Sequence, residues 1–351
     1  MLIIGCDLHS RYQQIAMADD RTAELLLERR LDHESGEAHA FYRALQGQVR
    51  VGIEATRPVH WFERLLGELG HELWIGDSAR IRASEVRKQK TDQRDAALIL
   101  DLLLAKRFPR IWAPAPAERD LRQLLWHRHK LVRMRTMLRN QLHSLAMSQG
   151  LCRKQKLFTK KGRAELQSLS LAPWASRRRE ELLKLLTQLE SPICELDQAV
   201  LEEAQRRDDA VRLMTHPGIG PVNALAFLLS IGPVTRFAGS RKIASYLGLN
   251  PTEESSGDRR RLGAISKQGN TMVRWLLIEA VQHAVRQDPV LRQDYQRLKF
   301  RRGHAVAKVA IARKLAVRMY WMLRSGADYA QLVRRQDSSR ATLMNVSSST
   351  L

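Results

Sequence analysis

Short runs of apolar residues dominate the first third of the chain. Segments with helical periodicity separate the later of these runs. The runs predict β-strands, and the segments between them predict helices, one capped by Ser35 and one ending at Gly70. The predicted strands cover residues 2–8, 12–18, 24–33, 49–56 and 71–78, and the predicted helices cover 35–46 and 57–70. Successive strands followed by strand–helix alternation favour an α/β sheet domain. From Ala79 to Arg110 the pattern is again helical.

The middle of the chain carries two heptad patterns. After a proline-rich boundary, leucines recur every seven residues from Leu124 to Leu145, and a second apolar series alternates by four and three from Leu182 to Val200. Both spacings are typical of helices that pack along a seam. They fit an antiparallel arm, a subunit contact or simple packing within the chain. Lys- and Arg-rich residues 150–177 predict a loop between the seams. Pro192 predicts a kink in the second helix.

The last third begins with a glycine-rich turn, HPGIGPVNALAFL, in which Pro221 suits the first position of a helix. A loop-like stretch follows at 250–270, and basic helices are predicted at about 271–287 and 304–325. The Ser/Thr-rich end is expected to be disordered. The predicted organisation is an α/β domain at 1–110, a long helical, coiled-coil region at 111–210, a mainly α-helical basic domain at 211–330 and a tail at 331–351.

Charge is distributed unevenly along the chain. There are 59 Lys and Arg residues against 37 Asp and Glu residues, which gives a net charge of +22. Residues 1–110 carry 17 basic and 17 acidic residues, so residues 111–351, with 42 and 20, hold the whole excess. A basic surface of this size attracts a polyanion through counterion release. DNA or RNA is therefore the predicted partner, and a basic protein with no nucleic-acid role is the alternative.

Composition argues against several other classes. Apolar residues make up 44% of the chain, which is enough for a packed core and too much for a wholly disordered protein. No uncharged apolar run reaches the roughly 18 residues expected of a membrane-spanning helix, and the first residues lack a signal-peptide pattern. Cys6, Cys152 and Cys194 are too few and too widely spaced for a disulfide framework or a zinc site. We expect a reducing, cytoplasmic location and no membrane partner.

Four acidic residues stand out as candidate metal ligands. Asp7 and Glu54 lie near the ends of two predicted strands, each as the single acid of an apolar run. Asp92 and Asp95 are three residues apart, on one face at the start of a helix. A charge in a buried strand is costly unless it is paired or bound to metal. The four acids predict a site for Mg²⁺, with Mn²⁺ as an alternative, or for two such ions acting on a phosphodiester.

Each acid also has an ordinary structural explanation. Asp7 could cap a turn, and Glu54 could favour the dipole of a following helix. Asp92 could be an N-cap and Asp95 a first-turn acid. The predicted metal site therefore rests on the set of four and not on any one member.

Several segments resemble a known family. GCDLH, IEAT and KTDQRDA, in this order, resemble the DEDD catalytic pattern of RuvC-like nuclease domains of the RNase H type. Downstream, HPGIGPVNALAFL, RFAGSRKIASYLGLNP, SSG and ISKQGN resemble the C-terminal domain of one family of insertion-sequence transposases. These are DEDD transposases with an additional catalytic serine, described as bridge-RNA-guided recombinases. The resemblance covers residues 2–330, and Arg57 departs from the glycine that the family often has after its EAT segment.

The resemblance implies a transposase that cuts and rejoins DNA. The N-terminal domain would be an α/β RNase H-like (RuvC-like) domain. Its catalytic, metal-binding carboxylates would be Asp7, Glu54, Asp92 and Asp95. Ser256 would form a covalent phosphoserine–DNA intermediate, with the adjacent Ser255 as the alternative nucleophile. A guide RNA would supply sequence choice by base pairing. Strand exchange and the heptad seams favour a homodimer or homotetramer.

Arginines next to the serine predict a phosphate contact. No histidine neighbours Ser256, whereas Arg259, Arg260 and Arg261 follow it closely. Guanidinium groups bind phosphate oxygens in bidentate fashion, so the cluster suits a scissile phosphate near the hydroxyl. A Ser/Arg loop that only touches backbone phosphates is the alternative.

Two more segments are candidate nucleic-acid contacts. Gly218 and Gly220 resemble a helix-hairpin-helix turn, whose exposed backbone N–H groups at a helix start can take a phosphate. A packing corner between two helices explains the same glycines. Lys267, in ISKQGN, is a further predicted contact.

Two other functions compete with the transposase. A metal-only nuclease, such as a junction resolvase, would cleave with water and leave free ends with no protein adduct. The long basic C-terminal half argues against it. A non-enzymatic nucleic-acid scaffold would bind without metal-dependent cutting, and the presence of all four acids argues against that.

Overall fold

The computed structural model describes residues 1–55, 60–84, 91–153, 155–253 and 261–334. The chain divides into two compact units, Met1–Ala113 and Pro114–Leu351. No helix in the described ranges is long and apolar enough to cross a membrane. The first unit is a mixed α/β sheet domain, and the second is mostly helical.

The first unit is built on a five-stranded mixed sheet in the order β3-β2-β1-β4-β5. Its strands are β1 (Leu2–Leu8), β2 (Tyr12–Asp19), β3 (Leu25–Asp32), β4 (Val49–Glu54) and β5 (Glu72–Gly76). The first three strands pair antiparallel, whereas β4 runs parallel to β1 and β5 runs parallel to β4. The carboxyl ends of β1, β4 and β5 therefore lie at one edge of the sheet.

Helices cover both faces of this sheet. They are α1 (Glu37–Ala44), α2 (His60–Glu68), α3 (Ser78–Ala83) and α4 (Asp92–Leu104). Residues of α1 and α2 share one apolar cluster with the strands, and residues of α3 and α4 share another. Gly5 lets α4 lie directly on β1, because a Cβ there would be 2.2 Å from the carbonyl oxygen of Ala96. This close approach brings the start of α4 near the end of β1.

Two local predictions for this unit, and one alternative explanation, differ from the structure. Gly36, in the left-handed region, is the residue before α1, while the Ser35 hydroxyl accepts a hydrogen bond from the Glu37 N–H at 3.4 Å. The segment 79–110 is not continuously helical, because α4 ends at Leu104 and is followed by a turn and by an isolated bridge between Arg110 and Gly76. Thr91 is the N-cap of α4, since its side chain accepts a hydrogen bond from the Arg94 N–H. Asp92 is therefore the first helical residue and not the cap.

The second unit contains two helices of 33 residues each, α5 and α7. Its elements are α5 (Pro116–Ser148), α6 (Lys160–Gln167), α7 (Pro173–Gln205), α8 (Asp208–Met214), α9 (Pro221–Ile231), a 3₁₀ turn (Val234–Arg236), α10 (Ser240–Tyr246), β6 (Pro251–Glu253), β7 (Leu262–Ile265), α11 (Thr271–Gln287), α12 (Pro289–Arg302) and α13 (His304–Ser325). Helices α5 and α7 pack on each other within the chain, with Leu138 and Leu182 in one buried cluster.

Two loop predictions in this unit were also wrong. Residues 150–177 contain α6 and the start of α7. Arg179 of α7 donates to the carbonyl oxygen of Leu166 in α6 at 3.4 Å and to that of Leu169, just after α6, at 2.9 Å, which ties the two helices together. Residues 250–270 contain β6 and β7, which pair antiparallel. Helix α7 continues through Pro192. The basic helices at 271–287 and 304–325 have the predicted bounds.

Candidate active site

The carboxyl edge of the first unit's sheet brings acidic side chains together. The last paired residues of β1 and β4 are Cys6 and Ile53, and Asp7 and Glu54 each follow that pair. Asp92 begins α4, which lies on β1. Two strand ends and one helix start therefore supply acids to one edge.

A histidine joins two of these acids. The Nε2 of His9 is 3.0 Å from Oδ2 of Asp7 and 3.6 Å from Oδ2 of Asp92. One ligand atom from each of Asp7, His9 and Asp92 lies within 4.8 Å of the other two, close enough to hold one metal ion. This group, found among the described residues, does not include Glu54 or Asp95.

The electrostatics of Asp7 indicate an excess of negative charge. Burial raises the pKa of Asp7 above its ordinary value, and the carboxylates of Asp95 and Asp92 raise it further, while His9 opposes them. Asp95 therefore acts on Asp7 through its charge. A cation in this cluster would remove the repulsion.

Glu54 has a different partner. Its carboxylate accepts a hydrogen bond from the Arg82 guanidinium at 3.2 Å. The Glu54 side chain is 17% exposed, whereas that of Arg82 is 65% exposed. An exposed arginine is easily moved, so this pairing is compatible with a second role for the carboxylate.

Tyr12 completes the cluster. Its phenol donates to Oδ2 of Asp92 at 2.8 Å, and its ring stacks on His9 with centroids 4.6 Å apart. The guanidinium carbon of Arg30 lies 3.7 Å from the Tyr12 ring centroid. The sequence analysis missed His9 and Tyr12. The available signal was proximity along the chain, because His9 comes two residues after Asp7, just beyond the end of β1.

The donor set fits a divalent metal. Carboxylate oxygens are the ligands that Mg²⁺ and Mn²⁺ take in proteins, and imidazole nitrogen is a ligand for transition-metal ions. Asp7 is partly buried and its pKa is raised, so a cation bound beside it would be stabilised by its carboxylate. The family resemblance and the donor chemistry therefore agree on a divalent ion here.

The predicted serine nucleophile cannot be placed in the same way. Ser255, Ser256, Arg259 and Arg260 lie outside the described residues. Arg261 and Lys267 are described, and both are exposed, Arg261 just before β7 and Lys267 just after it.

The two glycines of the GIG turn have different surroundings. Gly218 adopts φ of +83°, and a Cβ there would lie 2.6 Å from the backbone nitrogen of Ala284 in α11. Gly218 is therefore a packing contact between helices. Gly220 precedes α9, and a Cβ there would meet nothing within 4 Å. The phosphate contact at both glycines stays a prediction, and Gly220 is the one with open space around its Cα.

Two family models match the chain. Residues 4–148 match a model described as Transposase, of the DEDD IS110 type, and residues 210–296 match one described as Transposase IS116/IS110/IS902 family. The first match contains the acidic cluster, and the second contains the GIG turn and the β6–β7 pair.

Curated relatives match along much of their length. The chain is 31% identical to a probable family 20 transposase of Pseudomonas aeruginosa over 338 residues, which cover 92% of this chain and 96% of the relative. It is 27% identical to the transposase for insertion sequence element IS1328 of Yersinia enterocolitica, over 78% of this chain and 83% of the relative. It is 28% identical to the transposase for IS1111A of Coxiella burnetii, over 65% and 63%. The chain therefore belongs to the IS116/IS110/IS902 family of insertion-sequence transposases and is a DNA transposase/recombinase enzyme.

Proposed function

We propose that this transposase cuts and rejoins DNA with a divalent-metal site built on Asp7, Glu54, Asp92 and Asp95 and with Ser256 as nucleophile. The observation that carries the proposal is the convergence of Asp7 and Asp92, which come from distant parts of the sequence and have ligand atoms within 4.8 Å of a shared histidine. The raised pKa of Asp7 supports it, because carboxylates crowded in this way favour a bound cation.

We also assign the first unit to the RNase H-like (RuvC-like) class. The sheet order β3-β2-β1-β4-β5, with three antiparallel strands followed by two parallel ones, supports this assignment. The position of Asp7 and Glu54 at the carboxyl ends of adjacent parallel strands supports it as well.

The residues of the cluster have separate roles in this proposal. Asp7 and Asp92 would hold the ion, and Glu54 and Asp95 would complete the acidic set. A divalent ion held there would supply charge stabilisation for the phosphodiester oxygens. Tyr12 orients the Asp92 carboxylate by donating to its Oδ2.

The serine belongs to a segment whose two ends lie side by side. Glu253 of β6 pairs with Leu262 of β7, and residues 254–261, which include Ser256, connect them along the chain. The neighbouring arginines at 259–261 suit the oxygens of a scissile phosphate. In the proposed step, the Ser256 hydroxyl loses its proton as its oxygen bonds to phosphorus, the bond from phosphorus to the leaving DNA oxygen breaks, and the leaving oxygen takes up that proton.

Partners follow from charge and exposed apolar surface. The net charge of +22 arises beyond residue 110 and suits donor DNA, target DNA and a guide RNA.

Helices α5 and α7 carry exposed apolar side chains, among them Met134, Met137, Met147, Trp174 and Leu185. Exposed apolar surface on long helices favours a further helix, so we propose a homodimer or homotetramer built through a coiled-coil contact of this region. A reducing cytoplasm is the proposed location.

Covalent trapping tests the serine. Labelled element-end DNA, incubated with the full chain, any guide RNA and Mg²⁺, is expected to give a slow band on a denaturing gel that protease removes. Ser256→Ala should abolish the band, and Ser255→Ala is the matched control that should keep it. Cleavage with free ends and no adduct would replace this proposal by a metal-only nuclease. Full recombination by both alanine variants would end the serine role.

A further inference from the structure

The imidazole of His9 occupies the position between two acids where a cation is expected. The hairpin between β1 and β2 holds it there, since the backbone N–H of His9 donates to the carbonyl oxygen of Tyr12 at 2.9 Å. The side chain remains 29% exposed, so solvent and ions reach the ring. A fixed nitrogen that faces two carboxylate oxygens and stays open to solvent has the arrangement of a metal ligand.

We propose that Nε2 of His9 is a direct metal ligand, which makes the site an Asp7–His9–Asp92 set and shifts its preference from Mg²⁺ towards transition-metal ions such as Mn²⁺. This inference rests on the proposed metal site. It adds a nitrogen donor and a selectivity that the four acids alone do not supply.

The ring is positioned before any ion binds. Tyr12 stacks on the His9 ring at an angle of 25°, and the same tyrosine holds Asp92 through its phenol. The guanidinium of Arg30 lies over the Tyr12 ring. One aromatic side chain therefore fixes two ligands relative to each other, which lowers the entropy cost of assembling the set.

Ligand chemistry gives the selectivity. Mg²⁺ demands near-ideal octahedral oxygen geometry and gives up water reluctantly. Imidazole nitrogen suits transition-metal ions, whose affinities for mixed nitrogen and oxygen sites rise from Mn²⁺ to Cu²⁺. A third donor that is nitrogen therefore adds more affinity for Mn²⁺ than for Mg²⁺.

Electron spin-echo spectroscopy of the full-length protein with Mn²⁺ alone tests the contact directly. We expect modulation from a directly bound imidazole ¹⁴N in the wild-type protein and its loss in His9→Gln. His39→Gln is the matched control, because His39 belongs to the same unit but stacks on Trp61. That variant should keep the modulation. A wild-type spectrum without imidazole ¹⁴N modulation overturns the inference, whatever the variants do.

Affinity gives a second, independent measure. His9→Gln should weaken Mn²⁺ binding by on the order of tenfold or more, and weaken Mg²⁺ binding, measured by competition, by clearly less. Equal losses for both ions, or no loss, contradict the proposal. If Asp7→Asn removes Mn²⁺ binding while His9→Gln leaves it intact, the metal site stands and only the histidine ligand fails. If neither substitution affects binding, the metal site itself fails.

Discussion

The two units each hold a cluster of aspartate, histidine, tyrosine and arginine, and the two clusters have opposite electrostatics. In the first unit, Asp7 lies beside His9 and the Asp92 carboxylate, and its pKa is raised. In the second unit, Asp288 lies beside Tyr329 and Arg318. Burial alone would raise the pKa of Asp288, but hydrogen bonds and the charge of Arg318 bring it below its ordinary value.

The number of donors explains the difference. Asp288 is 4% exposed and accepts from the Tyr329 phenol, from Arg318 at 2.5 Å and from the Leu291 N–H at 3.0 Å. Its charge is neutralised within the fold, and it caps α12 while binding α13 through Arg318. Asp7 has like charges near it and one histidine.

The comparison separates a cluster that anchors helices from the proposed metal site, which is made of the same residue types. A cluster that neutralises itself stabilises helices and needs nothing from outside. A cluster with surplus negative charge is incomplete and attracts a cation. Residue type alone therefore does not identify a site, whereas the balance of charge around the buried carboxylate does.

Loss of the Asp7 charge should give the largest effect. Asp7→Asn removes one proposed metal ligand, and we expect DNA cleavage to fall at least about a thousandfold, which corresponds to about 4 kcal/mol. The thermal stability should stay equal or rise, because a repelled carboxylate is removed. Asp101→Asn, an exposed aspartate on the same helix as Asp92, is the control and should cleave normally. Near-normal cleavage by Asp7→Asn would remove the basis of the comparison.

The corresponding aspartate-to-asparagine substitution in the cluster of the second unit should lower stability. Asp288→Asn leaves the Arg318 guanidinium without its anion in a largely buried position, so α12 and α13 should lose about 3 kcal/mol of opening free energy. Hydrogen exchange measured on peptides from these helices reports this loss of local stability separately from the stability of the sheet in the first unit. Unchanged protection in α12 and α13 would show that Asp288 is not a structural anchor.

Acid should weaken the second cluster through His216. This histidine is 1% exposed, and burial lowers its pKa from 6.5 to about 4. A histidine with a lowered pKa contributes stability that is present above pH 6.5 and lost as the pH falls towards 4, here at most about 3 kcal/mol. Asp288, with a pKa below its ordinary 3.8, titrates beneath this window. Hydrogen exchange in α13 should therefore accelerate between pH 6.5 and 4, after correction for the intrinsic rate. His216→Gln should abolish this pH dependence of hydrogen exchange. If the pH dependence persists in the variant, another titrating group causes it.

Local patterns predicted most of the first unit. Strand β1 has the predicted bounds, because its apolar run is bordered by polar turns and all its partners are neighbouring strands of similar pattern. Apart from the helix boundaries in the first unit, the failures were in the second unit, at 150–177 and in β6 and β7. In the first segment, buried Leu157 and Leu166 are isolated among lysines and arginines, so the helical periodicity was hidden. Strands β6 and β7 have three and four residues, which are too few to show the alternation of apolar and polar residues that marks a strand.

The candidate site was only partly visible in the sequence. Asp7, Glu54 and Asp92 could be singled out because each is an acid at the boundary of an apolar or helical segment. The convergence of Asp7 and Asp92 needs the sheet order and the close approach of α4 at Gly5, which spacing does not give. His9 and Tyr12 reach the site only because the hairpin after β1 closes tightly. Their roles depend on tertiary contacts and not on composition.

The smallest effects should come from the two tyrosines, and they sharpen the comparison. Tyr329→Phe removes a hydrogen bond to a buried carboxylate, so the helices around Asp288 should lose about 1–2 kcal/mol of opening free energy. Tyr12→Phe removes a bond to Asp92, whose side chain is 44% exposed, and water can replace the donor there. We expect no measurable loss of stability from Tyr12→Phe but a several-fold loss of cleavage, because the carboxylate is no longer oriented. If Tyr12→Phe is destabilised, or Tyr329→Phe keeps its full stability, then the exposure of the contacted carboxylate does not explain the difference between the two clusters.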